Sequence, residues 1–184
     1  DAYYSKTTNM LFDVPVSQVS GFDTSNVNIG SMENKGIELQ IASDHRFGDF
    51  TYSFNANWSL NRNKVLHLGD GDADIIKESS YAGGYYLTRV GQPVGCYYLM
   101  IQDGIFHNQQ ELDSYPHFPT TEVGDFRFVD VNGNGILEKD ADRAIVGNYQ
   151  PDFYYGFGLN LGYKGFDLAA NFQGVYGNEI LNLE

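Results

Sequence analysis

Phe50-Thr51-Tyr52-Ser53-Phe54-Asn55-Ala56-Asn57-Trp58-Ser59-Leu60-Asn61 alternates apolar and polar residues for twelve positions without a break. In an extended chain successive side chains point to opposite faces, so Phe50, Tyr52, Phe54, Ala56, Trp58 and Leu60 share one face. The other face carries Thr51, Ser53, Asn55, Asn57, Ser59 and Asn61, polar throughout and without charge. A strand of a soluble sandwich usually runs ~5–6 residues and often shows charge on its wet side. A strand that crosses a membrane takes about 9–11 residues. The stretch therefore predicts a strand with lipid on one side and a hydrated space on the other.

The same period recurs elsewhere. Ile37, Leu39 and Ile41 alternate with Glu38, Gln40 and Ala42; Tyr155, Phe157, Leu159, Leu161 and Tyr163 alternate with Gly156, Gly158, Asn160 and Gly162. Phe166, Leu168, Ala170, Phe172 and Tyr176 alternate with Asp167, Ala169, Asn171, Gln173 and Val175, and a less regular strand covers Tyr3 to Phe12, where Lys6 interrupts one face. The links between these five strands are unequal. A short turn lies around His45 to Asp49, and Lys164-Gly165 suits a two-residue hairpin. By contrast about ninety residues, Arg62 to Asp152, separate the third strand from the fourth. Short turns alternating with long loops mark outer-membrane barrels, whereas a soluble sandwich distributes its turns more evenly.

The fold class expected is all-β: antiparallel up-and-down strands of a transmembrane β-barrel with a long extracellular loop region and one short helix near Gln109 to Asp113. Residues 1–61 are expected to carry barrel strands with one extracellular loop (13–32) and one periplasmic turn (44–49). Residues 62–152 form the loop subdomain and 153–184 a barrel hairpin. Lipid is expected against Phe50, Tyr52, Phe54, Trp58, Leu60, Phe157, Leu159, Phe166, Leu168 and Phe172. The lumen is expected against Ser53, Asn55, Asn57, Asn160, Asn171 and Gln173.

Composition agrees with this class. The 184 residues include 14 Tyr, 13 Phe and 21 Gly, which favour pleated sheet, tight turns and wet interfaces. A formal net charge of −13 argues against nucleic acid or anionic membrane surfaces as partners. Cys96 is the only cysteine, so neither a disulfide within the chain nor a thiolate metal cluster is available, and it reads as a small buried hydrophobe. No apolar run approaches the ~18 residues of a spanning helix. Asp1-Ala2-Tyr3-Tyr4 already reads as strand rather than as a signal peptide, so an export signal is expected upstream.

The long loop region holds 14 of the chain's 24 acidic residues together with apolar clusters, and a loop of that length is usually functional. Its sharpest motif is Asp130-Val131-Asn132-Gly133-Asn134-Gly135-Ile136-Leu137-Glu138-Lys139-Asp140-Ala141-Asp142. Oxygen side chains at alternate positions, a glycine and then a carbonyl donor describe a calcium loop of EF-hand type. Asp130, Asn132 and Asn134 would offer side-chain oxygens and Ile136 its carbonyl. The closing acid belongs at the twelfth position, which is Ala141; Asp140 comes one residue early and Asp142 one late. Two readings stand: a structural Ca²⁺, or an Asx/Gly turn that needs no metal.

Other chemistry is thin. His45, His67, His107 and His117 show no zinc-binding spacing, and no nucleophile elbow, phosphate loop or dinucleotide fingerprint occurs. Asp70, Asp72 and Asp74 read as a solvated acidic run. Tyr85 and Tyr86, after Gly83-Gly84, read first as loop packing and second as a platform for sugar rings. No enzyme is expected.

Several ordered blocks resemble one family. Tyr3-Tyr4 through Asn9-Met10-Leu11-Phe12 followed by Asp13-Val14-Pro15, then Asn28 to Leu39 (NIGSMENKGIEL), then Phe50 through Val65 with Asn61-Arg62-Asn63-Lys64, are similar to SusC/RagA-type TonB-dependent outer-membrane transporters of Bacteroidetes in their C-terminal part. Val90 to Gly95, Asp103 to Phe106, Gly124 to Phe128, Asp130 to Asp142, and Ile145 to Asn148 with Pro151 continue the resemblance in order along nearly the whole chain. The acid after the DVNGNG segment stands one residue later than in the family's usual spacing. The resemblance implies import of an oligosaccharide or peptide nutrient through the outer membrane. A SusD-like surface lipoprotein would close the mouth, and TonB would pull on a plug located upstream. This chain would supply wall strands, a lumen lining of Asn, Ser, Thr and Gln, and loops toward substrate and lid.

A second hypothesis of a different class is a secreted, calcium-stapled β-domain for adhesion or carbohydrate binding. It accounts for the acidity and the DVNGNG loop, but not for the twelve-residue apolar face. Five strands cannot close a barrel, so edge strands are expected to pair with further wall or to drive association of isolated copies.

Overall fold

The computed structural model describes residues 1–15, 24–69, 71–79 and 84–182. Two units emerge from the packing: Asp1–Ile75 with Thr88–Val94 and Asn148–Ile180, and a second made of Ile76–Leu87, Gly95–Gly147 and Leu181–Glu184. The excursion expected over 62–152 is therefore divided, because its first residues and the 88–94 segment belong with the strands.

The first unit is one antiparallel sheet of five strands in the order β1-β2-β3-β10-β11. They are β1 (Ala2–Pro15), β2 (Thr24–Phe47), β3 (Phe50–Leu68), β10 (Phe153–Tyr163) and β11 (Phe166–Tyr176). All five expected strands are present, and the first three run further than their alternation suggested. The loop expected over 13–32 shrinks at both ends, since β1 continues to Pro15 and β2 begins at Thr24; residues 16–23 lie outside the described ones. Paired backbone extends into Asn26-Val27-Asn28 and beyond, where β1 offers it a ladder. Likewise the turn expected over 44–49 contracts to Gly48-Asp49, with Phe47 opposite Phe50. At the other hairpin Lys164 and Gly165 both adopt positive φ, 48° and 85°, the pairing that a two-residue primed turn demands.

Register decides what the alternation means. Ile37 pairs with Leu60 and Phe47 with Phe50, while Phe153 pairs with Tyr176 and Tyr163 with Phe166. Trp58, Ala56, Phe54, Tyr52 and Phe50 of β3 lie opposite Tyr155, Phe157, Leu159, Leu161 and Tyr163 of β10. Four spans, each eleven residues long, are thus stacked in line across four strands, apolar on this face except at Ser43 and His45 of β2. Eleven residues at about 3.4 Å rise make ~37 Å along the strand, and at a tilt near 45° this is about 26 Å, the height of an outer-membrane apolar band. Above the band β2 and β3 continue with Glu33, Asn34 and Lys35 beside Arg62, Asn63 and Lys64, which are polar.

The upper end of β3 has its own small core. Val65, Leu68 and Ile75 are buried, with Val90 and Val94 packed on them. The 88–94 segment is fixed there by backbone bonds between Val65 and both Gly91 and Gln92, each 2.9 Å, and by Val94 N–H donating to Asn63 Oδ1 at 3.0 Å.

The second unit holds a four-stranded sheet of order β4-β5-β6-β9 (Ile75–Glu78, Tyr85–Thr88, Cys96–Met100, Arg143–Gly147) and the pair β7-β8 (Gln102–Ile105, Phe126–Phe128). The short helix α1 spans Gln109–Ser114. Asn108 Oδ1 accepts from Glu111 N–H and Glu111 Oε2 accepts from His107 N–H, both at 2.9 Å, a reciprocal cap that starts the helix. Leu87, Cys96, Phe106, Leu112 and Leu137 are buried. Cys96 takes the place expected of it as a small buried hydrophobe.

Candidate functional site

The functional surface is the sheet's two faces. On the apolar face, the ten residues expected against lipid fall together: Phe50, Tyr52, Phe54, Trp58 and Leu60 on β3, Phe157 and Leu159 on β10, Phe166, Leu168 and Phe172 on β11. Phe157 and Phe172 stack at 4.6 Å between ring centres. These large side chains stand out from the sheet, Phe166 being 80% exposed and Leu39 57%. Aromatics gather at both rims of the band. His45, Phe47 and Tyr52 contact one another at the turn end; Trp58, Phe153 and Tyr176 do so at the loop end, with Trp58–Phe153 at 6.0 Å and Phe153–Tyr176 at 5.1 Å. Aromatic girdles of this kind belong at the two membrane–water interfaces. Alternation along one strand does not reveal them; they appear only once the strands are aligned.

The polar face brings together Ser53, Asn55, Asn57, Asn160, Asn171 and Gln173. Asn55 and Asn171 flank Gly158, while Asn57 and Gln173 flank Gly156. A Cβ on Gly158 would sit 2.7 Å from Asn171 Oδ1 and 2.8 Å from Asn55 Nδ2, so the neighbouring amides fold over the glycine. On β3, β10 and β11 this face has a single charged residue, Asp167, and it sits at the turn end. Amides both donate and accept, and the adjoining β2 adds Glu38, Asp44 and Arg46 to the same face, opposite Ser59, Ser53 and Thr51.

In the second unit the DVNGNG loop closes on itself. Asp130 accepts from Gly133 and Gly135 N–H at 2.7 Å each, Asn132 from Asn134 N–H at 2.9 Å, and Asn134 from Ile136 N–H at 2.7 Å. Asp142, fully buried, accepts from Val131 and Asn132 N–H through Oδ1 and from Glu138 N–H through Oδ2. Asp140 turns outward to Arg143 at 3.1 Å. Among the described residues no group of three His, Cys, Asp or Glu is placed to hold a metal. As arranged, the donor set supplies Asp130, Asn132, Asn134 and Ile136, and both candidate closing acids are occupied elsewhere.

The remaining candidates have structural partners. Asp72 accepts from Leu68 N–H and pairs with His67 at 2.6 Å, and Asp74 pairs with Arg89; Asp70 lies outside the described residues. Tyr85 lies under the Arg143 guanidinium at 3.4 Å and Tyr86 packs on Tyr97, so this pair is loop packing; Gly83 lies outside the described residues. Sequence reasoning missed the cluster in which Asp103 accepts from Arg127 Nε at 2.8 Å and from Tyr115 O–H at 3.3 Å, with Arg127 stacked on the Tyr115 ring. Burial, then the Asp103 carboxylate, raises the Tyr115 phenol above its usual range, and the Asp103 hydrogen bond raises Arg127.

A sheet with an apolar band, aromatic rims and an amide-lined reverse is wall of an outer-membrane β-barrel of the transporter kind. Comparison with known proteins narrows the class. TonB-dependent receptor P3 of Formosa agariphila is 38% identical over 194 residues, covering 99% of this chain and 19% of its own length. TonB-dependent receptor SusC of Bacteroides thetaiotaomicron is 27% identical over 183 residues, covering 98% of this chain and 17% of its own. The RagAB peptide importer in its closed-closed state superposes with a TM-score of 0.68 over 96% of this chain and 19% of that one; at 23% identity this shows shared fold. No family model matches the sequence. The chain belongs to the TonB-dependent receptors that include SusC, and it spans a fifth or less of the length of the curated relatives it matches.

Proposed function

We propose that the protein containing this chain imports an oligosaccharide or peptide nutrient across the outer membrane, driven by TonB and covered by a SusD-like surface lipoprotein. One observation carries the reading: four eleven-residue spans in register form one apolar face, interrupted at Ser43 and His45 of β2, with a more polar face behind it. Such a sheet is stable where lipid wets one side and water the other, and not where water wets both. In this reading the apolar face meets lipid, the polar face lines the lumen, and the second unit belongs to the extracellular loops. The relatives are receptors by name, in keeping with a chain that performs no catalysis.

The test uses the intact receptor in its host. It should fractionate with the outer membrane, run as a heat-modifiable barrel, co-purify with a surface lipoprotein, and lose nutrient uptake when TonB is deleted. Recovery as a detergent-free monomer that melts cooperatively would favour the calcium-stapled secreted domain instead. Structural calcium at the DVNGNG loop is a separate proposal, supported by its four oxygen donors. Titration calorimetry on the receptor and on Asp130→Ala decides it, and heat that is absent from both leaves a metal-free turn.

A further inference from the structure

At its loop end the apolar face of the sheet gives way to charge. Ile37 and Leu60 close the band there, and the pairing of β1, β2 and β3 continues past them without a bulge for two further rows on the same face. Tyr4, Lys35 and Arg62 lie side by side in the first row, and Lys6, Glu33 and Lys64 in the second. Such rows stand about 7 Å apart, and neighbouring strands about 4.8 Å apart. Lys6, Lys35, Arg62 and Lys64, four of the chain's 11 lysines and arginines, therefore share a patch about 10 Å by 7 Å. At the turn end the same face closes on Phe47, Phe50, Tyr163 and Phe166. The Gly48-Asp49 and Lys164-Gly165 turns beyond them hold one acid and one base. The cations gather on one side of the band.

Their arrangement calls for an anion. Lys35 and Arg62 stand directly opposite each other, and like charges so placed repel. Each is offset by one acid: Lys35 Nζ donates to Glu33 Oε1 at 2.8 Å, and Arg62 Nη2 to Asp152 Oδ1 at 2.7 Å. Lys6 and Lys64 are exposed and, among the described residues, form no ion pair. Four cations against two acids leave two positive charges uncompensated. The net charge of −13 argues against an anionic membrane surface for the chain as a whole. Screening over about 8 Å, however, lets a patch of this size act on its immediate neighbours with its own sign. Height selects the source of the anion. An acyl chain lying along Trp58 and Leu60 brings its headgroup to the level of Arg62 and Lys64, the next residues of that face along β3. Phosphate oxygens accept charge-assisted hydrogen bonds from lysine and arginine, stronger than those between neutral groups. An acidic protein surface would have to displace those headgroups to reach the lower row.

We infer that Lys6, Lys35, Arg62 and Lys64 form a binding patch for the phosphate-bearing headgroup of an outer-leaflet lipid. The inference rests on the reading of the apolar face as lipid-facing. The test takes the intact, detergent-purified receptor and follows by native mass spectrometry its retention of lipid A bearing phosphate against the same lipid freed of phosphate. Two uncompensated cations at roughly fivefold each predict a preference of about 25-fold for the phosphorylated lipid. Lys6→Gln/Lys64→Gln, which breaks no ion pair, should bring the two lipids near parity, and Lys164→Gln at the turn end should leave the preference intact. Lys35→Gln should lower it roughly fivefold and serves as the second variant should the double one fail to run as a heat-modifiable barrel. Absence of a phosphate preference overturns the patch, as does a preference unchanged by the substitutions in the two rows or lowered equally by Lys164→Gln. Displacement of the lipid by an equal concentration of inorganic phosphate overturns it too, and so does an acidic protein that co-purifies through these cations in place of lipid. Each of those results leaves outer-membrane fractionation and TonB-dependent uptake standing, and failure of those two properties would instead sink the transporter reading.

Discussion

The five-stranded sheet and the second unit apply the same hydrophobic physics to opposite surroundings. In the second unit Phe106, Leu87 and Leu137 turn inward and are nearly inaccessible. In the sheet, Leu39, Phe166 and Phe172 project from the surface, and the face behind them carries amides and glycines. One region brings its own apolar interior, whereas the other leaves its apolar face outward, toward the bilayer in the function proposed above. Burial measured on the chain alone therefore ranks the residues of the second unit by importance and misranks those of the sheet.

Breaking the second unit's core gives the largest effect. Phe106 is 1% exposed and lies edge-on between Tyr115 and His117, so Phe106→Ala should cost about 3–5 kcal/mol. Limited proteolysis of the intact receptor should then cut within 95–147 while the barrel remains heat-modifiable. Loss of the barrel as well would show that the two regions do not fold separately.

Next comes the membrane face. Phe54 stands near the middle of its eleven-residue span, where an arginine costs about 2–4 kcal/mol in lipid. Phe54→Arg should deplete the receptor from the outer membrane, as counted by surface labelling, and the adjacent Asn55→Asp should not. Equal tolerance at the two positions would mean that the faces do not separate lipid from water.

Asp142→Asn follows, at about 1–3 kcal/mol, because a neutral amide replaces a carboxylate that accepts three backbone N–H bonds in a buried place. Hydrogen exchange should rise over 130–142. Protection restored by added calcium would instead assign closure of the loop to a metal.

The smallest effect is alkaline. The Tyr115 phenol titrates above its ordinary value, so the folded state favours its protonated form. The stability this brings is complete below the phenol's unfolded value near 10 and fades as pH rises through the higher folded one. Tyr115→Phe should flatten that alkaline loss in a melt of the second unit's signal, and an unchanged slope would remove Tyr115 from the account.

Legibility from sequence followed the range of the interactions. Strand alternation is local, so Phe50 to Asn61 and the β10-β11 hairpin could be assigned one by one, and a short helix was expected near Gln109 to Asp113, where α1 stands. The upper parts of β2 and β3 were not legible, since unpatterned backbone becomes strand there by pairing with a neighbour. In the calcium-like loop the sequence offers the oxygens, but only the folded chain turns Asp142 inward onto backbone and Asp140 outward to Arg143.

By itself, then, the sequence determined that this chain has strands with one apolar and one amide-rich face, because the period of two is a property of each residue's own backbone. Tertiary structure alone decided that four spans, largely apolar on one face, align into one band with aromatic rims. It also decided that Lys6, Lys35, Arg62 and Lys64, from three strands, gather in two rows above that band. Register and loop closure depend on which distant segments meet, and that choice is made by pairing across the sheet rather than within any strand.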